Sequence, residues 1–342
     1  MVVFILASCA QDDGDETSSA AGGKDKVNVL LAFVHGIDFV HYYLAEDLGF
    51  FDRCGLDVEL KTAANVENPA QLVVGGAVDF ALIDPITTIS AVHRELPLVA
   101  IAQDTARTGV TYYSLKETGI ESPADLPGHT IGLNPGGDNV WFLEKIMEDN
   151  LTPEQIEQVT IVPSDFSINP LLTGRVDGYS TWTTDAAVSV AEQDGFELNG
   201  LKAYDYGIRT TGNLLVTNKE HLSGDQLDLT TRFLAAVSAG LEQLTPENTE
   251  AAVDAALSRM DEAPSREAMA SVYEALLDLQ ENPLYDENGV GWHDPFAYEQ
   301  TQDFLLDNGE VSELLPVEQL YTTEVLEEIF TDGKVDLDKV CG

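Results

Sequence analysis

Apolar positions along the chain switch repeatedly between strand-like and helix-like spacing. Val27-Asn28-Val29-Leu30-Leu31-Ala32 is a short run rich in strand-forming residues, and a helical stretch follows from Val40 to Phe51, ending near Cys54-Gly55. Leu56-Asp57-Val58-Glu59-Leu60 alternates apolar and polar residues, as a strand with one buried face does. A helix around Pro69 to Val74 comes next, then the strand Asp79-Phe80-Ala81-Leu82-Ile83. Asp84-Pro85 opens another helix; proline suits the first turn because the N–H it lacks would have no partner there. Leu98 to Ala102 is again strand-like. This rhythm predicts α/β layers around a largely parallel sheet.

A second α/β unit runs from about Glu117 to Gly212, with strands at His129–Leu133, Val159–Val162 and Val176–Tyr179. After Leu214-Leu215-Val216-Thr217 the spacing turns helical: Leu227 to Leu244, Glu247 to Met260, Ser265 to Gln280 and Pro295 to Asn308. At 342 residues the chain exceeds the size at which one core keeps growing. The expected organisation is therefore bilobed. Residues 27–114 with 214–342 form the first lobe and 115–213 the second, with crossings at Thr111–Leu115 and Gly212–Val216.

The N-terminus reads differently. An apolar run ends in Leu6-Ala7-Ser8-Cys9, and an acidic tract of small residues follows from Gln11 to Gly23. Leu-Ala-Ser-Cys fits the lipobox pattern, in which a signal peptidase cuts before a cysteine that carries lipid. The expectation is a signal remnant over 1–9, a flexible acidic tether over 10–26, lipidation at Cys9 and a place on the outer face of the cell membrane. The run is short and lacks a basic flank, so an apolar terminus with a chance cysteine is the alternative. One lipid chain gives only marginal membrane affinity; stable anchoring takes more than one. Nothing after residue 9 is long and apolar enough to span a bilayer.

Sixty acidic residues stand against 17 basic ones, a formal charge of -43 spread over the whole chain. Such self-repulsion strains a compact state in dilute buffer. In molar salt the screening length falls to about 3 Å and the strain is relieved. The balance points to a saline medium, and in this respect the chain resembles halophilic archaeal proteins. It argues against nucleic-acid binding. Of three cysteines, Cys54 and Cys341 remain if Cys9 is lipidated. Outside the cell they could form a disulfide, adding about 2–4 kcal/mol, or stay as separate thiols. The six histidines form no His-x-x-x-His pair, and the sequence holds no metal-type cysteine cluster, P-loop or nucleophile elbow. No metal, no cofactor and no catalysis are expected.

Four stretches carry a family resemblance. The first is His35, Tyr42-Tyr43-Leu44-Ala45, Gly49-Phe50-Phe51 and Gly55-Leu56-Asp57-Val58; the second is Gly76-Ala77-Val78-Asp79-Phe80. The third is Ser122-Pro123-Ala124-Asp125-Leu126-Pro127-Gly128 with Ile131-Gly132, and the fourth is Leu171 to Gly178. In this order they resemble the extracellular solute-binding proteins of ABC importers, in the group that takes up nitrate, taurine, alkanesulfonates and thiamine pyrimidine precursors. Gly291-Trp292-His293-Asp294-Pro295, Gly309 and Tyr321-Thr322 are similar to the pyrimidine-precursor and riboflavin branch. The first loop departs from that branch, reading His35-Gly36-Ile37-Asp38 where Pro-Asn is common. The resemblance implies a type II periplasmic-binding-protein-like clamshell with two α/β lobes and C-terminal helices on the first. It also implies a monomer that takes a small-molecule ligand and works with a membrane permease and its ATPase.

Ligands of open α/β sheets bind beyond the C-terminal ends of the strands. That rule selects the loops Val34–His41, Ile83–Thr87, Asn134–Trp141 and Tyr179–Asp185. The third contains Asn134, Gly136, Gly137, Asp138 and Asn139. Its amides could meet an anion, or it could be a plain turn with Asp138 as helix cap. The loops carry Asp38, Asp84, Asp138 and Asp185 but no Lys or Arg. Carboxylates suit a ligand with N–H donors or positive charge; the general acidity of the chain is the alternative source of these residues. His35 could face the ligand. Trp141, Trp182, Phe39, Tyr42 and Tyr179 lie in or near the loops, and Tyr206 precedes the return crossing. Such rings stack on planar heterocycles, though each alone is more often lobe core than a ligand platform. Three readings stay open: a binder of a heterocycle such as a thiamine pyrimidine precursor, a binder of a sulfonate, taurine or nitrate anion, and a single-turnover pyrimidine synthase on the same fold. The synthase family has a cysteine-rich motif that this chain lacks.

Overall fold

The computed structural model describes residues 23–63, 66–134, 138–165 and 167–342. Cys9, Gly136 and Gly137 lie outside the described residues. The described residues open with strand β1 (Asp25–Leu31), a single 3-10 turn (Ile37–Phe39), and helices α1 (Val40–Asp47) and α2 (Phe50–Arg53). The expected single helix over Val40–Phe51 is broken at Gly49, whose φ of 75° is a left-handed conformation that glycine adopts without a Cβ clash. Strand β2 (Leu56–Thr62), α3 (Pro69–Val74), β3 (Phe80–Ile83), α4 (Pro85–His93) and β4 (Leu98–Gln103) follow.

The second unit comprises β5 (Val110–Leu115), β6 (Thr130–Leu133), α5 (Asp138–Asn150), α6 (Pro153–Ile156), β7 (Thr160–Pro163), α7 (Asn169–Leu172), β8 (Gly178–Trp182), α8 (Ala186–Gln193) and β9 (Leu198–Lys202). Strand β10 (Leu214–Asn218) returns to the first unit. Helices α9 (Gly224–Leu241), α10 (Thr249–Leu257), α11 (Arg266–Leu279), α12 (Pro283–Asn288), α13 (Pro295–Asp307) and α14 (Glu324–Ile329) come next. A small hairpin, β11 (Phe330–Thr331) with β12 (Lys334–Val335), and helix α15 (Leu337–Cys341) close the chain.

Each lobe holds a five-stranded sheet, in the orders β2-β1-β3-β10-β4 and β7-β6-β8-β5-β9. Both sheets are mixed, which corrects the expectation of a largely parallel one. Strand β10 runs antiparallel to β3 and β4, and β5 antiparallel to β8 and β9. These two are the strands that enter a sheet directly from the other lobe, so they arrive running the opposite way. The crossings span 104–109 and 207–213, earlier than expected. Thr111–Leu115 is part of β5, and Leu214 to Val216 is part of β10.

The C-terminal helices cover the first sheet. Phe233 of α9 stacks on Phe80 of β3 with ring centroids 4.1 Å apart, and residues of α9, α10, α11 and α14 share one apolar core with α1. Burying such a ring contributes roughly 1.5–3 kcal/mol. The Cys54–Cys341 disulfide is formed, with the Cα atoms 4.6 Å apart, and fastens α15 to the turn between α2 and β2. Helices α11 and α13 also reach the second lobe. Ser265 donates to Gln193 at 2.8 Å, and Gln300 donates to the Gly207 carbonyl at 2.9 Å. Phe304 meets Phe142 at 5.2 Å between ring centroids.

Candidate functional site

The two lobes meet at the ends of their strands. Asp38, in the turn before α1, accepts a hydrogen bond from the Thr184 hydroxyl just beyond β8. Burial pushes the Asp38 carboxyl up to about 6; the Thr184 bond opposes this, and the nearby carboxylates of Asp185 and Asp104 add to it. Asp185 caps α8, accepting from the Ala187 amide at 2.9 Å and the Thr181 hydroxyl at 2.7 Å. On the first lobe, Asp84 caps α4 through the Thr87 amide at 2.8 Å. Asp138 opens α5 on the second lobe. Burial, and then the charge of Asp84, push the Asp138 carboxyl up to about 7. Asp84 and Asp138, like Asp38 and Asp185, thus lie within each other's field across the two lobes.

Cations near the crossings are already engaged. Arg107 lies over the Tyr204 ring at 4.6 Å and within 3.4 Å of Glu281, and Lys202 reaches Asp278 at 2.7 Å. Arg209 lies 5.9 Å from the same ring.

The expected aromatic residues divide into two groups. The Trp182 ring lies on the first crossing, so close that a Cβ on Gly109 would sit 2.8 Å from its Cε3. Trp141 packs against apolar clusters of both lobes, and Tyr206 lies half-buried against the second-lobe core. Phe39, Tyr42 and Tyr179 are instead buried within lobe cores, with the Tyr42 hydroxyl donating to Asp104 at 2.9 Å. Asn139 is buried too, donating to Ser180 at 2.7 Å. Asn134 is half-buried at the end of β6. His35 bonds the Tyr43 hydroxyl at 3.0 Å. Burial, and then the charge of Arg259, lower its pKa.

Two residues were not singled out from sequence. Asp104 follows β4 directly, and its Oδ1 lies 2.8 Å from His41 Nε2. The same strand-end rule would have found it had it been applied to β4. Thr184 carried no signal, because a hydroxyl gains meaning only from its partner on the other lobe. A separate concavity of about 400 Å³, lined by residues including Arg53, Glu242, Lys334 and Asp338, lies beside α15 and away from the strand ends. Among the described residues no cluster of His, Cys, Asp or Glu is arranged to hold a metal, and no helix is long and apolar enough to cross a membrane.

Residues 37–251, more than half of the chain, match the family described as NMT1/THI5 like. The chain belongs to the NMT1/THI5-like family. It is 25% identical over 313 residues to the formylaminopyrimidine-binding protein of Halalkalibacterium halodurans, covering 89% of this chain and 92% of that one. It is 33% identical over 160 residues to the 4-amino-5-hydroxymethyl-2-methylpyrimidine phosphate synthase THI13 of Saccharomyces cerevisiae, covering 45% of each. In structure it resembles the periplasmic aliphatic sulphonate binding protein SsuA of Escherichia coli. The TM-score is 0.64 at 16% identity, over 87% of this chain and 92% of that one. That likeness supports the clamshell fold: two α/β lobes with mixed sheets.

Proposed function

We propose that this NMT1/THI5-like protein is the substrate-binding component of an ABC importer and closes on a small heterocycle rich in N–H donors, such as a thiamine pyrimidine precursor. The observation that carries this reading is the placing of carboxylates across the lobes in two pairs, Asp38 with Asp185 and Asp84 with Asp138, each within the other's field. Those loops hold no cation, and Arg107 and Lys202 are neutralised behind them. An anion would meet repulsion there; amine and amidine groups would meet acceptors. The relative named for formylaminopyrimidine binding supports the same class of ligand. Trp182 and Trp141 supply faces for a planar ring. Hinge closure of the lobes orders the cleft and presents a closed surface to a membrane permease driven by an ATPase.

In this reading the protein is a monomer held outside the cell by lipid on Cys9, works in a saline medium, and releases its ligand unaltered. Titration calorimetry in molar salt tests the ligand class. Formylaminopyrimidine should bind, while taurine and nitrate should give no heat. Tight binding of taurine with no response to the pyrimidine would overturn the reading.

A further inference from the structure

Asp104 is only 1% exposed, yet one of its two oxygens has no partner. Its Oδ1 takes both local donors, His41 Nε2 at 2.8 Å and the Tyr42 hydroxyl at 2.9 Å. Its Oδ2 is buried with no hydrogen bond, and so is Nδ1 of His41, which is 0% exposed. Leaving a buried acceptor unpaired costs roughly 1–3 kcal/mol, and more when it is charged. The surroundings offer no relief. The 3-10 turn brings Asp38, α1 brings His41 and Tyr42, and the second lobe brings Asp185 and Thr184; the charges of Asp104 and Asp185 both act on Asp38. From α12, the half-buried Tyr285 is also within the field of Asp104. Arg259, the cation near His35, is held on the outer side of α1 by Glu46 and Asp47, at 2.7 Å from each.

We propose that Asp104, backed by Asp38 and Asp185, is the residue that selects the ligand, its free Oδ2 accepting an N–H from the amino edge of an aminopyrimidine. This rests on the heterocycle reading above and names the residue that enforces it. Asp104 sits at the start of the first crossing, where the Asp104 and Thr105 amides both bond the Asn213 carbonyl on the return crossing, at 3.0 and 3.2 Å. Gln280 donates to the Asp104 carbonyl at 2.9 Å. The backbone of Asp104 is thus fixed at the junction of both crossings and the C-terminal helices. A site built to hydrogen-bond a ligand group rejects the analogue that lacks it, because its own buried polar atom stays unpaired.

Two pyrimidines differing only in the 4-amino group provide the test. Dissociation constants of 4-amino-5-hydroxymethyl-2-methylpyrimidine and of its analogue without the amine are measured by calorimetry in molar salt. The wild-type protein should favour the amine by at least tenfold. Asp104→Asn should weaken the aminopyrimidine at least tenfold and remove most of the preference, leaving the analogue unchanged. Should that variant fail to fold, Asp38→Asn should still reduce the preference. Equal wild-type binding of the two pyrimidines overturns the role of Asp104 and leaves the heterocycle reading intact. So does a preference that a folded Asp104→Asn variant retains, or one that Asp38→Asn retains where Asp104→Asn does not fold. Binding of neither pyrimidine alongside binding of taurine overturns both.

Discussion

The carboxylate of Asp38 and the hydroxyl of Thr184 are hydrogen-bonded to each other from opposite lobes. The bond joins the turn before α1 to the segment between β8 and α8, next to the carboxyl groups of Asp104 and Asp185. The Thr184 hydroxyl thus ties the two lobes together beside these acidic groups, and the protonation of Asp38 bears on that contact.

Asp38 titrates near 6 in the folded protein, against an ordinary value of 3.8. Between those values the folded state holds a proton that the unfolded chain has released. The stabilisation is complete below about pH 4 and is lost as the pH rises through 6. Against Asp38→Asn, the wild type should lose on the order of 2 kcal/mol between pH 4 and 7. Urea unfolding of both proteins in molar salt reads this difference. Parallel stability curves would show that Asp38 ionises normally.

His293 carries the opposite sign. Buried between Tyr298, whose hydroxyl lies 2.7 Å from Nδ1, and the stacked ring of Tyr321 at 4.5 Å, its pKa is lowered to about 3. The unfolded chain takes up a proton near 6.5 and the folded one does not. Stability from this residue is present above pH 6.5 and declines as the pH falls toward 3. The imidazole nitrogen shifts of His293 should stay flat from pH 7 to 4, where an exposed histidine titrates fully. A titration midpoint near 6 would refute the buried neutral ring.

A methyl group at residue 109 should act on the cleft. The Cβ of Gly109→Ala would fall 2.8 Å from Trp182 and 3.1 Å from Leu279, so one of them must move. Overpacking of this kind costs about 1–3 kcal/mol. The variant should unfold at lower urea, and its tryptophan emission should shift as the Trp182 ring is displaced. Unchanged emission and an unchanged midpoint would mean that the crossing yields without strain.

Local signals placed most elements of the first lobe. Pro69 and Pro85 each start a helix at its first position, and Gly75 follows the last residue of α3, so α3 and α4 were readable from their punctuation. Strand β5 was not. Its partners, among them Trp182 opposite Val110, lie far along the chain, and its own residues do not distinguish a strand from a crossing. Strand β9 was missed for the same reason: polar Asn199 and Gly200 are held by pairing with β5. In the site, the strand-end rule reached Asp38, Asp84, Asp138 and Asp185. For the rings of Phe39, Tyr42 and Tyr179 the lobe-core alternative holds, and a strand-end rule does not decide between the two because it places a loop and not the direction of a ring.

The 287-residue separation between Cys54 and Cys341 makes nearly the whole folded body one covalent ring. A single peptide bond cut anywhere inside that ring opens it without freeing a fragment. Protein nicked once by a protease should run as an intact chain on a non-reducing gel and fall into two pieces only after a thiol is added.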